Sequence, residues 1–353
     1  MFTLKTNYFI SVVVIATIFL FSCASTTEPI TGVTTEKSAP PWIIDVTETF
    51  PEDEYLAAVG YATNRASSES MAISNLTKIL KQRVESETEV NQTFTNNLVD
   101  QDRTIDASVR TTSLIDEIMG LKIQENWVAK DNTMYSIAVL NKNETSNYYK
   151  QLVYQNEETI NDYLSIVVDN PATFTGIDAC SQALELAYEN DSYLELILVL
   201  DYTAYKSINL DYKSSSDIKV LMEMQNNLIS IGIFVEGDVG DRISSAFSTT
   251  LNEAGFTTSK LSNNTDLDDI PYVVDGKLIF EVAKQSEQTN NIVVFFTLDA
   301  NMKDETGKIM LPWSYIGKEV QTTESRAKQR ALYTIEQYIK KEYLKALQNL
   351  SEN

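Results

Sequence analysis

Few residues of this chain could do chemistry. No histidine occurs among its 353 residues, and the two cysteines are Cys23 and Cys180. Histidine is the side chain most used for proton transfer near neutral pH and the commonest metal ligand. Its absence excludes Ser-His-Asp and Cys-His catalysis. Two cysteines without histidine also exclude thiolate–imidazole metal sites. Carboxylate, lysine and tyrosine chemistry remain, with hard-cation binding. Ser216 with Lys219, and Ser325 with Lys328, have the S-x-x-K spacing in which lysine can draw a proton from serine. The S-D-N and K-T-G elements that accompany it are absent, and Thr306–Lys308 reads T-G-K. Both pairs therefore read as solvated caps and helix faces. Asp266, Asp268 and Asp269 lack the glycine and distal glutamate of a calcium loop. Gly237 and Gly240 in "VEGDVGDR" lack the third glycine and the lysine of a phosphate cradle, and Glu236, Asp238 and Asp241 would repel a phosphate. That stretch reads as a strand–helix turn with Asp238 or Asp241 as N-cap. Carboxylate pairs are too plentiful for any one to stand out. No catalytic residue, cofactor or metal is expected, and the chain reads as non-enzymatic.

Cys23 is the exception. It follows Phe9–Phe21, an apolar run interrupted by Ser11 and Thr17, with Lys5 ahead of it. As a helix this run would span about 20 Å, short of the roughly 30 Å hydrocarbon core, and suits the apolar segment of a secretion signal. Leu20-Phe21-Ser22-Cys23 resembles the lipobox of bacterial lipoproteins, with Phe21 bulkier than the usual occupant. That resemblance implies cleavage between Ser22 and Cys23 and acylation of the Cys23 sulfur. An ordinary signal peptide or a single membrane anchor are the alternatives. An acylated Cys23 cannot pair with Cys180, so no intramolecular disulfide is expected. Cys180 then reads as a small apolar residue on a helix, the alternative being a reactive thiol or an intermolecular bridge.

The elements that position these residues follow from composition and periodicity. Apolar residues make up 43% of the chain, enough for sizeable cores, and glycine and proline are scarce. The net charge of −22 disfavours nucleic acid and anionic lipid head groups as partners. Residues 1–22 read as signal and 23–41 as a Ser-, Thr- and Pro-rich lipidated tether reaching at most about 60 Å. In 42–142, "YLAAVGYA" is a strand. A helix over about Ser67–Val90 carries Ile73, Leu76, Leu80 and Val84 on one face. "TIDASVRTTSLI" reads as a strand, "LKIQENWVAK" as one with Leu121, Ile123 and Trp127 on one side, and "MYSIAVLN" as its return after a turn at Asp131–Thr133. Residues 143–214 read as helices covering the sheet, with "IDACSQALELAYEN" and "SYLELILVLDY" as separate segments. In 215–353, Ile229, Ile231, Ile233 and Val235 alternate as a strand, and an amphipathic helix ends at Gly255. Three strands follow, then a helix over Thr323–Leu350 with lysines near its end. The class is α+β: two sandwich-like domains, each a helix on an antiparallel sheet, joined by a helical segment.

A second resemblance covers about a third of the chain. "PPWI", "YLAAVGYA", "SSESMAISNL" and "LKIQENWVAKDNTMYSIAVLNKNE" resemble the Lpp-twenty family of bacterial envelope lipoproteins. The family carries no enzymatic activity to transfer, and related domains in flagellar assembly lipoproteins and T-ring proteins imply a scaffold role. Ile229–Leu350 is similar in pattern to the TolB amino-terminal domain and to lipoprotein activators of penicillin-binding proteins. The expectation is an outer-membrane lipoprotein facing the periplasm, with surface display as an alternative. It would be a non-catalytic scaffold or assembly factor with envelope protein partners. The rival is a module binding cell-wall glycan or a small ligand through an aromatic cleft, drawn from 18 tyrosines and three tryptophans. Cys23→Ser, or globomycin treatment, is expected to abolish incorporation of labelled fatty acid. Labelling that persists would overturn the anchoring.

Overall fold

In a computed structural model of the chain, the first regular element is a 3-10 turn over Pro41–Ile43. The structure describes residues 38–94, 110–263, 270–283 and 291–351. Ser22, Cys23, most of the tether, and Asp266, Asp268 and Asp269 lie outside the described residues. Pro41–Asn353 forms one compact unit. The Trp42 ring is buried against Ile137 and Val139, and its Nε1 donates to Glu125 Oε2 at 2.8 Å.

The first sheet follows the sequence pattern. Strand β1 (Tyr55–Ala62) leads into helix α1 (Arg65–Phe94). Strands β2 (Lys122–Val128) and β3 (Met134–Asn141) form a hairpin, and the antiparallel order is β1-β3-β2. Asn132 turns the hairpin at φ +66°, with Asp131 Oδ1 accepting from Thr133 N at 3.0 Å. The central strand β3 is buried on both faces, with Ala138 and Leu140 toward α1 and Ile137 and Val139 toward Trp42. The register of β2 slips between Ile123 and Glu125. A bulge sends later side chains to the opposite face. Leu121 and Ile123 pack toward α1, but Trp127 packs with Trp42, which corrects the expectation of one shared side.

Helix α1 sits unusually close to β1. A Cβ on Gly60 would lie 2.2 Å from the Ala72 nitrogen and 2.4 Å from the Ser68 oxygen. Small residues therefore face the strand, and the buried stripe is Ser68, Ala72, Leu76, Leu80 and Val84. Ile73, expected on that stripe, is 38% exposed. Ser68 Oγ meets Ser136 Oγ at 2.7 Å across the contact, and Ser136 Oγ donates to Asn126 Oδ1 at 2.5 Å.

Asn141 ends β3 and caps helix α2 (Lys142–Asp169), its Oδ1 accepting from Glu144 N at 2.9 Å. Thr173 caps helix α3 (Phe174–Leu200). This is one continuous helix where the sequence suggested two segments. The polar residues at the join are buried: Asn190 Nδ2 donates to Val153 O at 3.1 Å and to Tyr212 Oη at 3.0 Å, while its Oδ1 has no partner among the described residues. Residues 110–116 are helical, where a strand was expected. Arg110 pairs with both carboxylate oxygens of Glu185 on α3, at 2.6 and 3.1 Å. Residues 104–109, the rest of the expected strand, lie outside the described residues.

Helix α4 (Ser215–Leu228) packs on α3, and Ser215 Oγ donates to Asp191 Oδ2 at 2.5 Å. Strand β4 (Ser230–Glu236), helix α5 (Arg242–Glu253) and strand β5 (Thr257–Lys260) come next. Strands β6 (Tyr272–Ala283), β7 (Ile292–Asp304), β8 (Ile309–Leu311) and β9 (Ser314–Gln321) complete the second sheet. Its order is β5-β4-β6-β7-β8, with β9 also on β7. This sheet is mixed: β4 runs parallel to β5 and β6, and β6 to β9 pair antiparallel. The third strand expected from sequence is split into β8 and β9 around Pro312 and Trp313.

Helix α6 (Glu324–Tyr338), a π turn over Ile339–Tyr343 and helix α7 (Leu344–Ser351) close the chain. Helices α5 and α6 are joined by a forked Arg242–Glu336 pair at 2.7 and 2.8 Å. Ile231, Ile233 and Val235 meet Ile243, Phe247 and Leu251 from α5 and Ile335, Ile339 and Tyr343 from the last helices. Gly60→Ala should drive α1 off β1. An overpacking cost of about 3 kcal/mol is expected, read as a lower urea midpoint. An unchanged midpoint would refute so close a contact.

Candidate functional site

The turn after β4 is built for structure. Gly237 and Gly240 both have φ +83°, and a Cβ at Gly237 would lie 2.4 Å from Leu278 O. Asp241 occupies the N-cap position of α5 at φ +53° but makes no side-chain cap. Asp238 supplies it instead, accepting from Ser244 N at 2.8 Å and from Ser244 Oγ at 2.9 Å. The two S-x-x-K pairs lie on helix first turns, Ser216 with Lys219 on α4 and Ser325 with Lys328 on α6. Lys328 Nζ is engaged by Glu324 at 2.6 Å, not by Ser325. Cys180 is fully buried with Val167 and Ala179, and burial pushes its thiol up to about 11. It packs as an apolar residue. Neither the reactive thiol nor the calcium loop gains a geometry here, the loop because it lies outside the described residues.

Two features remain whose residues the sequence did not single out. The first is the outer face of the second sheet. Alternate residues of β6 and β7 point to the helices: Val274, Leu278, Phe296, Leu298, Ala300 and Met302. The opposite face carries Ile279, Phe295, Ile316 and Val320, which are 41%, 45%, 71% and 46% exposed. The register sets these side chains in adjacent rows: Ile279 beside Thr297 and Ile316, Glu281 beside Phe295 and Lys318, Val293 beside Val320. A one-sided antiparallel sheet normally shows polar residues to water. The signal was present in "IVVFF", where both parities of β7 are apolar. Strand β9 hid it. Its apolar alternation points outward, because the inward position at Gly317 is filled by the Phe296 ring, 2.3 Å from where a Cβ would be.

The second is a cleft of about 390 Å3 between the 110–116 helix, α2 and α3, lined by Leu114, Met119, Tyr148, Tyr149, Leu152 and Tyr193, with Ser113 and Glu117. Tyr149 meets Tyr148 edge-to-face and Tyr193 at a tilt, with ring centroids 5.2 and 5.3 Å apart. Tyr193 Oη donates to Glu189 Oε1 at 2.7 Å, and Tyr149 Oη accepts from Met119 N at 3.2 Å. Burial raises both phenols above the usual tyrosine range, and Glu189 raises Tyr193 further. They are neutral donors and stacking surfaces at physiological pH, not bases.

No family model and no curated protein matches this chain. Among solved structures, it is similar to a secreted protein of Helicobacter pylori at 13% identity, over 82% of this chain and 98% of that one, with a TM-score of 0.41. It is similar to a minor lipoprotein of Acinetobacter baumannii at 14% identity, over 35% and 91%, with a TM-score of 0.25. A lipoprotein of Neisseria meningitidis matches at 14% identity, over 31% and 96%, with a TM-score of 0.21. At these scores the likenesses carry no functional argument. Among the described residues, no helix is long and apolar enough to cross a membrane.

Buried Cys180 yields a direct measurement. In Cys23→Ser protein at pH 8, Ellman's reagent is expected to titrate no thiol in the native state and one after denaturation. Rapid native labelling would show that the α3 core opens.

Proposed function

We propose that this protein is a lipid-anchored component of the bacterial envelope that works by contact with other proteins rather than by catalysis. Acylated Cys23 holds it at the outer membrane with its body in the periplasm. Each buried acyl methylene contributes about 0.8 kcal/mol, so two or three chains make a stable anchor. The Leu20–Cys23 lipobox supports the anchoring, and the resemblance of residues 40–150 to Lpp-twenty lipoproteins supports the setting. The resemblance of Ile229–Leu350 to periplasmic protein-binding domains points the same way.

The observation that carries the interaction reading is the outer face around Phe295 and Ile316. Large apolar side chains on adjacent strands, with Lys318 and Glu281 set among them, are a composition that a protein contact can cover. The partner this face suits is an envelope protein with an apolar patch of its own. Assembly or scaffolding, flagellar or in the cell envelope, is the process it fits. A second reading, binding of cell-wall glycan, is favoured by the Tyr148–Tyr149–Tyr193 cleft, since sugar rings stack on tyrosine faces.

A photo-crosslinking residue at Ile316 in intact cells separates the two. It is expected to give a discrete protein adduct, identifiable by mass spectrometry, and the same probe at exposed Val168 on α2 should give none. Capture of wall fragments alone, or retention on purified sacculi that Tyr148→Ala abolishes, would replace the scaffold reading with the glycan one.

A further inference from the structure

Strand β9 stands at an edge of the second sheet. Among the described residues it pairs with β7 alone. Ala300 N donates to Trp313 O at 2.8 Å, and from there the antiparallel register runs without a slip to Ile292 opposite Gln321. In such a ladder every second residue turns both backbone groups to its neighbour, and the others turn theirs away. Tyr315, Gly317, Glu319 and Gln321 therefore bond β7. Ser314, Ile316, Lys318 and Val320 each hold an N–H and a C=O toward the free edge, where no backbone group meets them among the described residues.

Edges are commonly blunted by shortness, proline or a bulge. Strand β9 has eight residues, no proline and no bulge. Its outward residues are also those on the exposed apolar face, with Ile316 and Val320 on either side of Lys318. Lys318 is exposed and has no ion-pair partner among the described residues, in a chain of net charge −22. That lysine selects what can pair here. If a second copy set its Val320 against Ile316, Lys318 would face Lys318, and like charges directly opposite destabilise a sheet. A carboxylate in that place is favoured instead. We propose that β9 accepts an extended segment of another protein as a further strand, of the pattern apolar-x-acidic-x-apolar, with its carboxylate against Lys318. The pattern reads the same in both directions, so it holds for parallel and antiparallel addition. The proposal rests on the contact reading of the outer sheet face and names the form of the partner that meets it.

The test uses the full chain in intact cells, with p-benzoylphenylalanine in place of Ile316 and the adduct quantified and mapped by mass spectrometry. The crosslink is expected to fall in a segment of the stated pattern. Val320→Pro removes one outward N–H, which an edge strand tolerates. It is expected to lower the adduct yield about fivefold, as loss of one net hydrogen bond allows, while Val320→Ala, which keeps the N–H, retains most of it. Lys318→Glu should lower the yield about fivefold as well, and Lys318→Arg should preserve it. An adduct undiminished by Val320→Pro in folded protein, or by Lys318→Glu, overturns strand addition and leaves the contact reading of the face standing. A crosslink mapped to a segment without the pattern, or to a second copy of this chain, overturns it in the same way. Absence of any protein adduct overturns both. Should Val320→Pro not fold, the Lys318 variants and the mapped segment decide.

Discussion

Phe174 and Leu200 stand at opposite ends of one helix and in two different cores. At its start, α3 puts Phe174 against Phe256 and Tyr272, with centroids 5.7 and 4.7 Å away, inside the core of the second sheet. At its end, Tyr193, Leu196, Ile197 and Leu200 join the core that α1 and the first sheet form. Twenty-seven residues of helix span about 40 Å. A rigid rod of that length, buried at both ends, makes the two sheets parts of one unit. The polar residues in its middle follow from this. Asn190 and Ser192 break the apolar pattern, yet the helix continues, because Asn190 bonds Val153 and Tyr212 in place of water. Ser215 reaching Asp191 then ties α4 to the same rod.

The two sheets solve burial differently. The first hides both faces of β3, one under α1 and one under Trp42 and its neighbours. The second hides only the face under α5 and α6. Nothing in its own strand composition demands this difference, since β7 is apolar on both sides. The first sheet has a covering segment in the residues that follow the tether. Among the described residues the second has none. A chain that buries one such face and leaves the other in water carries a surface suited to another molecule.

Most strands were legible, and the reasons for the failures are local. Strands β1 and β3 are short, near-continuous apolar runs and Ile229 to Val235 alternates, so the local pattern placed them. Trp127 went to the wrong face because a bulge at β2 inverts parity, and no residue type there announces a bulge. Ile73 was put inside because it lies three residues before Leu76 on an apolar spacing. The backbone contact at Gly60 admits only Ser68 and Ala72 at that height, and a one-residue rotation moved Ile73 out. The four-residue strand β5 is polar and depends on parallel pairing with β4. Such pairing is a tertiary fact with no local pattern. The tyrosine cleft was foreseen as a composition, many tyrosines, but the meeting of Tyr148 and Tyr149 with Tyr193 depends on how α2 folds back on α3.

The charge of the chain bears on which surface can meet a partner. With 28 basic residues against 50 acidic, most of the surface repels anything of like sign, including a second copy of itself. The outer face of the second sheet departs from that average. Lys277 pairs with Glu236 at 3.0 Å, Lys303 pairs with Asp275 at 2.5 Å, and Lys318 stands across from Phe295. These lysines offset the carboxylates around them, leaving the apolar rows of Ile279, Phe295, Ile316 and Val320 in a nearly neutral setting. Exposed ion pairs of this kind contribute little to stability. Their effect is on approach, because they let an apolar surface be reached without the long-range repulsion that guards the rest of the molecule. Apolar exposure and local neutrality thus coincide on the same strands, and either alone would be a weaker argument for contact there.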